Sequence, residues 1–145
     1  ISDDHFEVVW ASSLSRAWES AQIIAPQHSV RLEFDFREID FGRWEGLTRQ
    51  EIEKSDPKLF ADWQTRTPGF EFPEGEARPD FRRRIARGLS KLRETGASSA
   101  LVVAHKGVVR TLFELVCDQA LAAEIPALGG VIHVSRGVRG NWSMD

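Results

Sequence analysis

Residues 6–25 read FEVVWASSLSRAWESAQIIA, and this stretch decides the fold class. Its opening, residues 6–11 (FEVVWA), has the apolar and β-branched content of a short buried strand. Ser12 and Ser13 follow as candidate N-caps. Beyond them Leu14, Ala17, Trp18, Ala21, Ile24 and Ala25 recur at helical spacing until Pro26 ends the pattern. This is one strand–turn–helix unit.

A second unit lies far along the chain. Residues 100–104 (ALVVA) form a continuous apolar run, as expected of a centrally buried parallel strand, and residues 108–117 continue as an amphipathic to fully apolar helix. Between the two units, residues 30–34 read as a further strand. Thr48 with Glu51 three positions on has the form of a capping box. Asp56 before Pro57 opens another helix, with Leu59, Phe60 and Trp63 on its apolar side. Residues 65–79 are rich in proline and glycine and read as an irregular excursion. A long helix is predicted from about residue 79 to 95, with Phe81, Ile85, Leu89 and Leu92 inward and Gly96 as its stop. The run Arg82–Arg84 is read as its solvated outer face. Residues 131–136 and 141–144 fit a terminal hairpin around residues 137–140. Strands alternating with helices imply an α/β fold, with a mostly parallel sheet and helices on both faces.

The chain has 145 residues, 41% hydrophobic and 28% charged, which fits one globular domain over residues 1–145. A net charge of −3 gives no broad attraction to nucleic acid or an anionic membrane, so neither is an expected partner. A small anion would have to be held by a local cluster of cations. The single cysteine, Cys117, lies in the apolar run LFELVC and reads as a packed thiol. With no paired Cys/His spacing and no long apolar span, neither a metal site nor a membrane helix is expected. The cytoplasm is the default location.

Ligands of open α/β sheets bind beyond the carboxyl ends of the strands. Two turns here place polar groups at that edge: WASSLSR carries Arg16, and VVAHKG carries His105. Each turn precedes a helix N-terminus, whose free N–H groups and dipole favour an anion. An arginine fork matches phosphate or carboxylate oxygens, and a histidine beside it adds a further donor. Spacing alone also allows a surface arginine and a hydrogen-bonded strand-end histidine. The loop at residues 37–46, REIDFGRWEG, concentrates Glu38, Asp40 and Glu45 among Phe41, Trp44 and two glycines. A carboxyl held against aromatic surface is pushed toward general-acid range, whereas a solvated one is not.

Four motifs then occur in order: SSLSRAWESA at residues 12–21, EIDFGRWEG at 38–46, PEGEA at 73–77 and VVAHKG at 102–107. Their order and spacing resemble the histidine-phosphatase (phosphoglycerate-mutase-like) family across essentially the whole chain. Within it the sequence is most similar to the bacterial α-ribazole-phosphatase-like and broad-specificity phosphatases, mainly through DFGRWEG. The resemblance implies a three-layer α/β/α sandwich and a phosphomonoester hydrolase working through a phosphohistidine, without a cofactor. It implies that Arg16 grips the phosphoryl group and that His105 hydrogen-bonds it. It also implies that Glu38 protonates the leaving oxygen and later helps activate water. Lys106 stands where the family often has glycine and joins Arg16 and His105 as a phosphate-binding candidate through its backbone N–H. The implied partner is a small phosphorylated metabolite, and a homo-oligomer is left open.

The sequence departs from the family at one important place. The nucleophile belongs to an R-H-G motif ending the family's first strand, and no R-H-G occurs here. His5, ahead of the family's second strand, is not read as its substitute. The expectation is therefore an N-terminally incomplete domain, lacking that strand and with negligible turnover by itself. A non-catalytic phosphate-binding module and a phosphoglycerate mutase are the rival readings. His28 and His133 are assigned to structure, Trp63 and Trp142 to packing, and Arg43 and Arg66 to solvent.

Overall fold

The computed structural model describes residues 6–138 and 140–144, so His5 lies outside the described residues. In chain order the elements are β1 (Val8–Ser12), α1 (Ser15–Ile24), β2 (Val30–Glu33), α2 (Arg49–Ser55), α3 (Pro57–Gln64), α4 (Arg78–Glu94), β3 (Ala100–Val103), α5 (Lys106–Cys117), β4 (Val134–Arg136) and β5 (Trp142–Met144). The first three strands form a parallel sheet in the order β2-β1-β3, and β4 pairs antiparallel with β5. The expected mixed α/β fold, mostly parallel with a small terminal hairpin, is therefore present. Chain contacts divide the molecule into two compact units: one runs to Glu38 and resumes at Arg82, and the other is Ile39–Phe81.

In the first unit the pleat of β1 sorts its side chains to opposite faces. Val9 and Ala11 pack with Ala21 and Ala25 of the α1 segment, and Trp18, Val30, Leu101 and Val103 close around them. On the other face Trp10 meets Phe36, ring centroids 6.2 Å apart, and both rings are fully buried. Phe36 lies so close to α4 that a Cβ on Gly88 would stand 2.6 Å from its ring, so only glycine fits there. Helices therefore cover both faces of this sheet.

Three local expectations need correction. Ser12 does not cap α1; it is the last residue of β1, and the cap position falls on Leu14 without a side-chain hydrogen bond. Ile24 is exposed, because the buried row of α1 is Ala17 and Ala21. β3 is parallel as expected but not central. Among the described residues it pairs only with β1, and it is partly rather than fully buried because that pairing covers one edge.

Around α5, Phe113, Cys117 and Leu121 form a second cluster with Ile125, Ile132 and Val134. Cys117 is the packed thiol expected, and burial pushes its pKa up. Arg110 braces the segment after α5 by donating to the carbonyls of Leu121 (2.8 Å), Ala122 and Ile125 (2.7 Å). Trp142 on β5 is more than a third exposed, so it packs less than expected on a strand open to solvent.

The second unit is organised by aromatic rings. Trp44 contacts Trp63, Phe70 and Phe72 at centroid distances of 5.8, 5.8 and 5.9 Å. Its indole N–H donates to Asp56 Oδ2 at 2.8 Å, and the Arg43 fork grips the same carboxylate, so Arg43 is not simply solvated. Asp56 thus precedes Pro57 without capping α3, because Arg43 and Trp44 use its oxygens. The Thr48–Glu51 capping box at α2 is present as expected. Gly42 has φ +59, and a Cβ there would lie 2.1 Å from the Pro73 carbonyl oxygen, which is why EIDFGRWEG turns where it does.

Candidate functional site

The register of β1 against β3 sets Ala11 opposite Val103, so the residues that follow each strand emerge side by side at the sheet's carboxyl edge. Ser12 comes from one and His105 from the other. The His105 Nε2 and the Ser12 Oγ are 2.8 Å apart, both residues buried, and either can donate according to the imidazole tautomer. The same Ser12 oxygen accepts from the Leu14 N–H at 3.3 Å. Ser12 therefore ties the two strand ends together and orients the histidine. His105 occupies the N-cap position of α5 with no capping bond from its side chain, which leaves the ring for other work.

The ring is held neutral at pH 7. Burial is the main cause, reinforced by the positive charges of Arg16 and Arg84, and together they lower its pKa from 6.5 to about 4. Arg16 sits in the first turn of α1 with an exposed side chain. Two guanidinium groups therefore bear on one imidazole at the ends of adjacent strands. An anion placed among them would be attracted to both cations and would favour protonation of the ring.

Arg84 departs from expectation. Within the run Arg82–Arg84, Arg82 and Arg83 are exposed as expected, with Arg82 bonding Glu114 at 3.0 Å, but Arg84 is half-buried. The Arg84 guanidinium donates to the carbonyls of Asp35 (2.7 Å), Arg37 (2.7 Å) and Glu38 (3.0 Å). It thereby links the Glu38 backbone to the neighbourhood of His105. Arg84, Arg87 and Lys91 share one stripe of α4 at i, i+3 and i+7. The latter two bond the buried carboxylates of Asp35 and Glu33 at 2.5–3.0 Å. Burial pulls the Asp35 pKa upward, but the bonds from Arg87 and Lys91 outweigh it and leave the value lowered. The basic stripe interleaved with Ile85 and Leu89 is visible in the sequence; what it faces is not.

Glu38 is half-buried, at the end of the segment that Arg84 holds. Lys106 opens α5, and its ammonium donates to the Glu124 carbonyl at 3.2 Å, so any part in anion binding falls to its backbone N–H. His28 Nε2 donates to the Phe6 carbonyl at 3.0 Å, a structural role. Trp63 packs on Trp44 and Phe60, and Arg66 is exposed. A separate cavity of about 390 Å³ is lined by Trp18, Gln22, His28, Ser29, Val30 and Leu32, none of them a candidate site residue. Among the described residues no three His, Cys, Asp or Glu side chains gather to hold a metal ion, and no helix is long and apolar enough to cross a membrane.

Comparison with known proteins bears on this geometry. The family model for the histidine phosphatase superfamily (branch 1) matches residues 1–128. A bifunctional protein of Mycobacterium tuberculosis is 36% identical over 114 residues, covering 76% of this chain and 31% of that protein. A 6-phosphofructo-2-kinase/fructose-2,6-bisphosphatase of Caenorhabditis elegans is 30% identical over 125 residues, covering 86% of this chain and 27% of that protein. The chain thus spans about a third or less of these relatives. Among solved structures, the α-ribazole phosphatase of Shigella flexneri superposes with a TM-score of 0.78 at 21% identity, over 100% of this chain and 74% of that one, a likeness of fold. A mycobacterial glucosyl-3-phosphoglycerate phosphatase in complex with VO3 gives 0.74 at 25% identity, over 97% and 76%.

Proposed function

The chain belongs to the histidine phosphatase superfamily, and from that premise we propose that it carries the phosphate-gripping and proton-donating part of a phosphomonoester hydrolase. The observation behind this reading is a buried, neutral His105, tied to Ser12 and flanked by the charges of Arg16 and Arg84 at the ends of two neighbouring parallel strands. Phosphatases among the structural relatives support the same class of reaction.

In this mechanism the Arg16 fork binds two phosphoryl oxygens and His105 donates to a third, stabilising charge as it develops. The nucleophilic histidine nitrogen of an R-H-G segment attacks phosphorus, the ester P–O bond breaks, and Glu38 gives its proton to the departing alkoxide. Water then attacks the phosphohistidine, passing a proton to the Glu38 carboxylate and releasing phosphate. The 145 residues contain no R-H-G, so this chain by itself binds phosphate and turns over negligibly. That same observation favours one rival, a phosphate-ligand binding module.

Inorganic phosphate titrated calorimetrically into the chain tests the first part. Arg16→Met should weaken binding by roughly 10- to 100-fold, as expected for loss of a charge-assisted fork. Hydrolysis of p-nitrophenyl phosphate, compared with a version extended N-terminally through an R-H-G segment, separates enzyme from binding module. Robust turnover by both forms, unaffected by replacing His105, removes the assignment.

A further inference from the structure

We propose that Arg84 is a positioning residue of this site: by clamping the carbonyls of Asp35, Arg37 and Glu38 it fixes the backbone that presents Glu38. The role rests on the phosphatase reading for its purpose, but not for its geometry.

The segment at residues 33–38 makes two local hydrogen bonds, Arg37 N–H to the Phe34 carbonyl and Asp35 N–H to Glu33 Oε1, and long-range contacts supply the rest of its support. After β2 the chain makes a short 3₁₀ turn at Phe34–Phe36, and a turn of this kind leaves carbonyls without partners along the chain. Three carbonyls, from Asp35, Arg37 and Glu38, converge on one guanidinium 46 to 49 residues away in sequence. A guanidinium offers five donors in a rigid plane, so it satisfies several acceptors at once, which a lysine ammonium on a flexible stem does with much less definition. The underside of the same turn is fixed by Arg87 and Lys91 on the Asp35 and Glu33 carboxylates, and by Phe36 against Gly88. All of these handholds come from one face of α4. Arg84 is the handhold nearest Glu38, and of the three basic residues it is the one whose charge is felt at His105.

The charged groups acting on His105 are Arg16 from α1 and Arg84 from α4, with Ser12 of β1 hydrogen-bonded to the ring. Arg84 therefore acts on both proposed chemical groups without needing to touch substrate. It restrains Glu38 through the main chain, and its positive charge adds to that of Arg16 in keeping the His105 ring neutral.

The test uses the full chain as it stands, with ring-nitrogen NMR of His105 followed from pH 8 to 3 and amide shifts of residues 35–39 followed in the same samples. Arg84→Met should raise the midpoint of His105 by roughly half a unit or more, the size expected for removing one nearby cation, and displace the amides of 35–39. Arg84→Lys should return the His105 midpoint but leave those amides displaced, because the charge is restored and the fork is not. A folded Arg84→Met with those amides unchanged overturns the proposal, whatever the midpoint does. If Arg84→Met does not fold, Arg84→Lys decides: displaced amides support the clamp, unchanged amides overturn it. Arg93→Met, exposed on the same helix, is the neutral control. Phosphate binding is measured separately on wild type and Arg16→Met. Its absence defeats the phosphatase reading, while the clamp still stands or falls on the NMR.

Discussion

Acid should find His105 before it finds the carboxylates. The folded protein holds this imidazole neutral, with a pKa of about 4 against 6.5 in an unstructured chain. Between these values the unfolded chain binds a proton that the folded one refuses. His105 therefore contributes stability above pH 6.5 that is lost progressively as the pH falls toward 4. The full difference amounts to about 3 kcal/mol, and about 2 kcal/mol of it is already gone at pH 5. The carboxylates with lowered pKa values are Asp35 and Asp56, from 3.8, and Glu7 and Glu51, from 4.5, so their losses fall mainly below pH 4.5 and are common to both proteins compared. His105→Gln provides the comparison, because its amide cannot titrate and still reaches toward the Ser12 hydroxyl. Urea unfolding at half-unit pH steps, followed by fluorescence of the five tryptophans, gives both curves. Wild type should lose about 2 kcal/mol more than His105→Gln between pH 7.5 and 5. Parallel curves would refute the claim that burial and two cations keep this ring neutral.

Other substitutions test the packing that holds the site. Gly88→Ala should gain about 1 kcal/mol of helix propensity and lose more than that, because its methyl meets the Phe36 ring at 2.6 Å and Trp10 blocks the ring's retreat; thermal melting should show a net loss of about 1–2 kcal/mol. Gly42→Ala combines a positive φ with a Cβ 2.1 Å from the Pro73 carbonyl oxygen, and its chemical unfolding should show a loss of about 2 kcal/mol or more. Lys91→Met removes a cation shared by Glu33 and Asp35. The lowered pKa of Asp35 contributes stability above its unfolded value of 3.8 and loses it as pH falls through the folded one. The melting temperature of Lys91→Met should therefore drop at pH 7, and its deficit relative to wild type should narrow by pH 3.

Features with a local cause can be read from the order of residues. Strand–turn–helix units at residues 6–25 and 100–117, the capping box at Thr48 and Glu51, the Asp56–Pro57 helix start, the terminal hairpin and the packed Cys117 all follow from periodicity, caps or apolar runs. Parallel pairing of two such units is enough to bring Ser12 and His105 to one edge, which is why Arg16 and His105 are legible as candidates. Long-range packing sets the remainder. Ser12 resembles a helix cap because serine after a strand reads that way locally, but its hydroxyl meets an imidazole 93 residues distant. Arg84 resembles a solvated residue because a helical face shows its charges without showing what crosses it. Only the crossing of α4 over the turn at residues 34–38 converts a basic stripe into a clamp on three carbonyls. Periodicity says which residues share a face; the partner of that face is chosen by packing between segments that lie far apart along the chain.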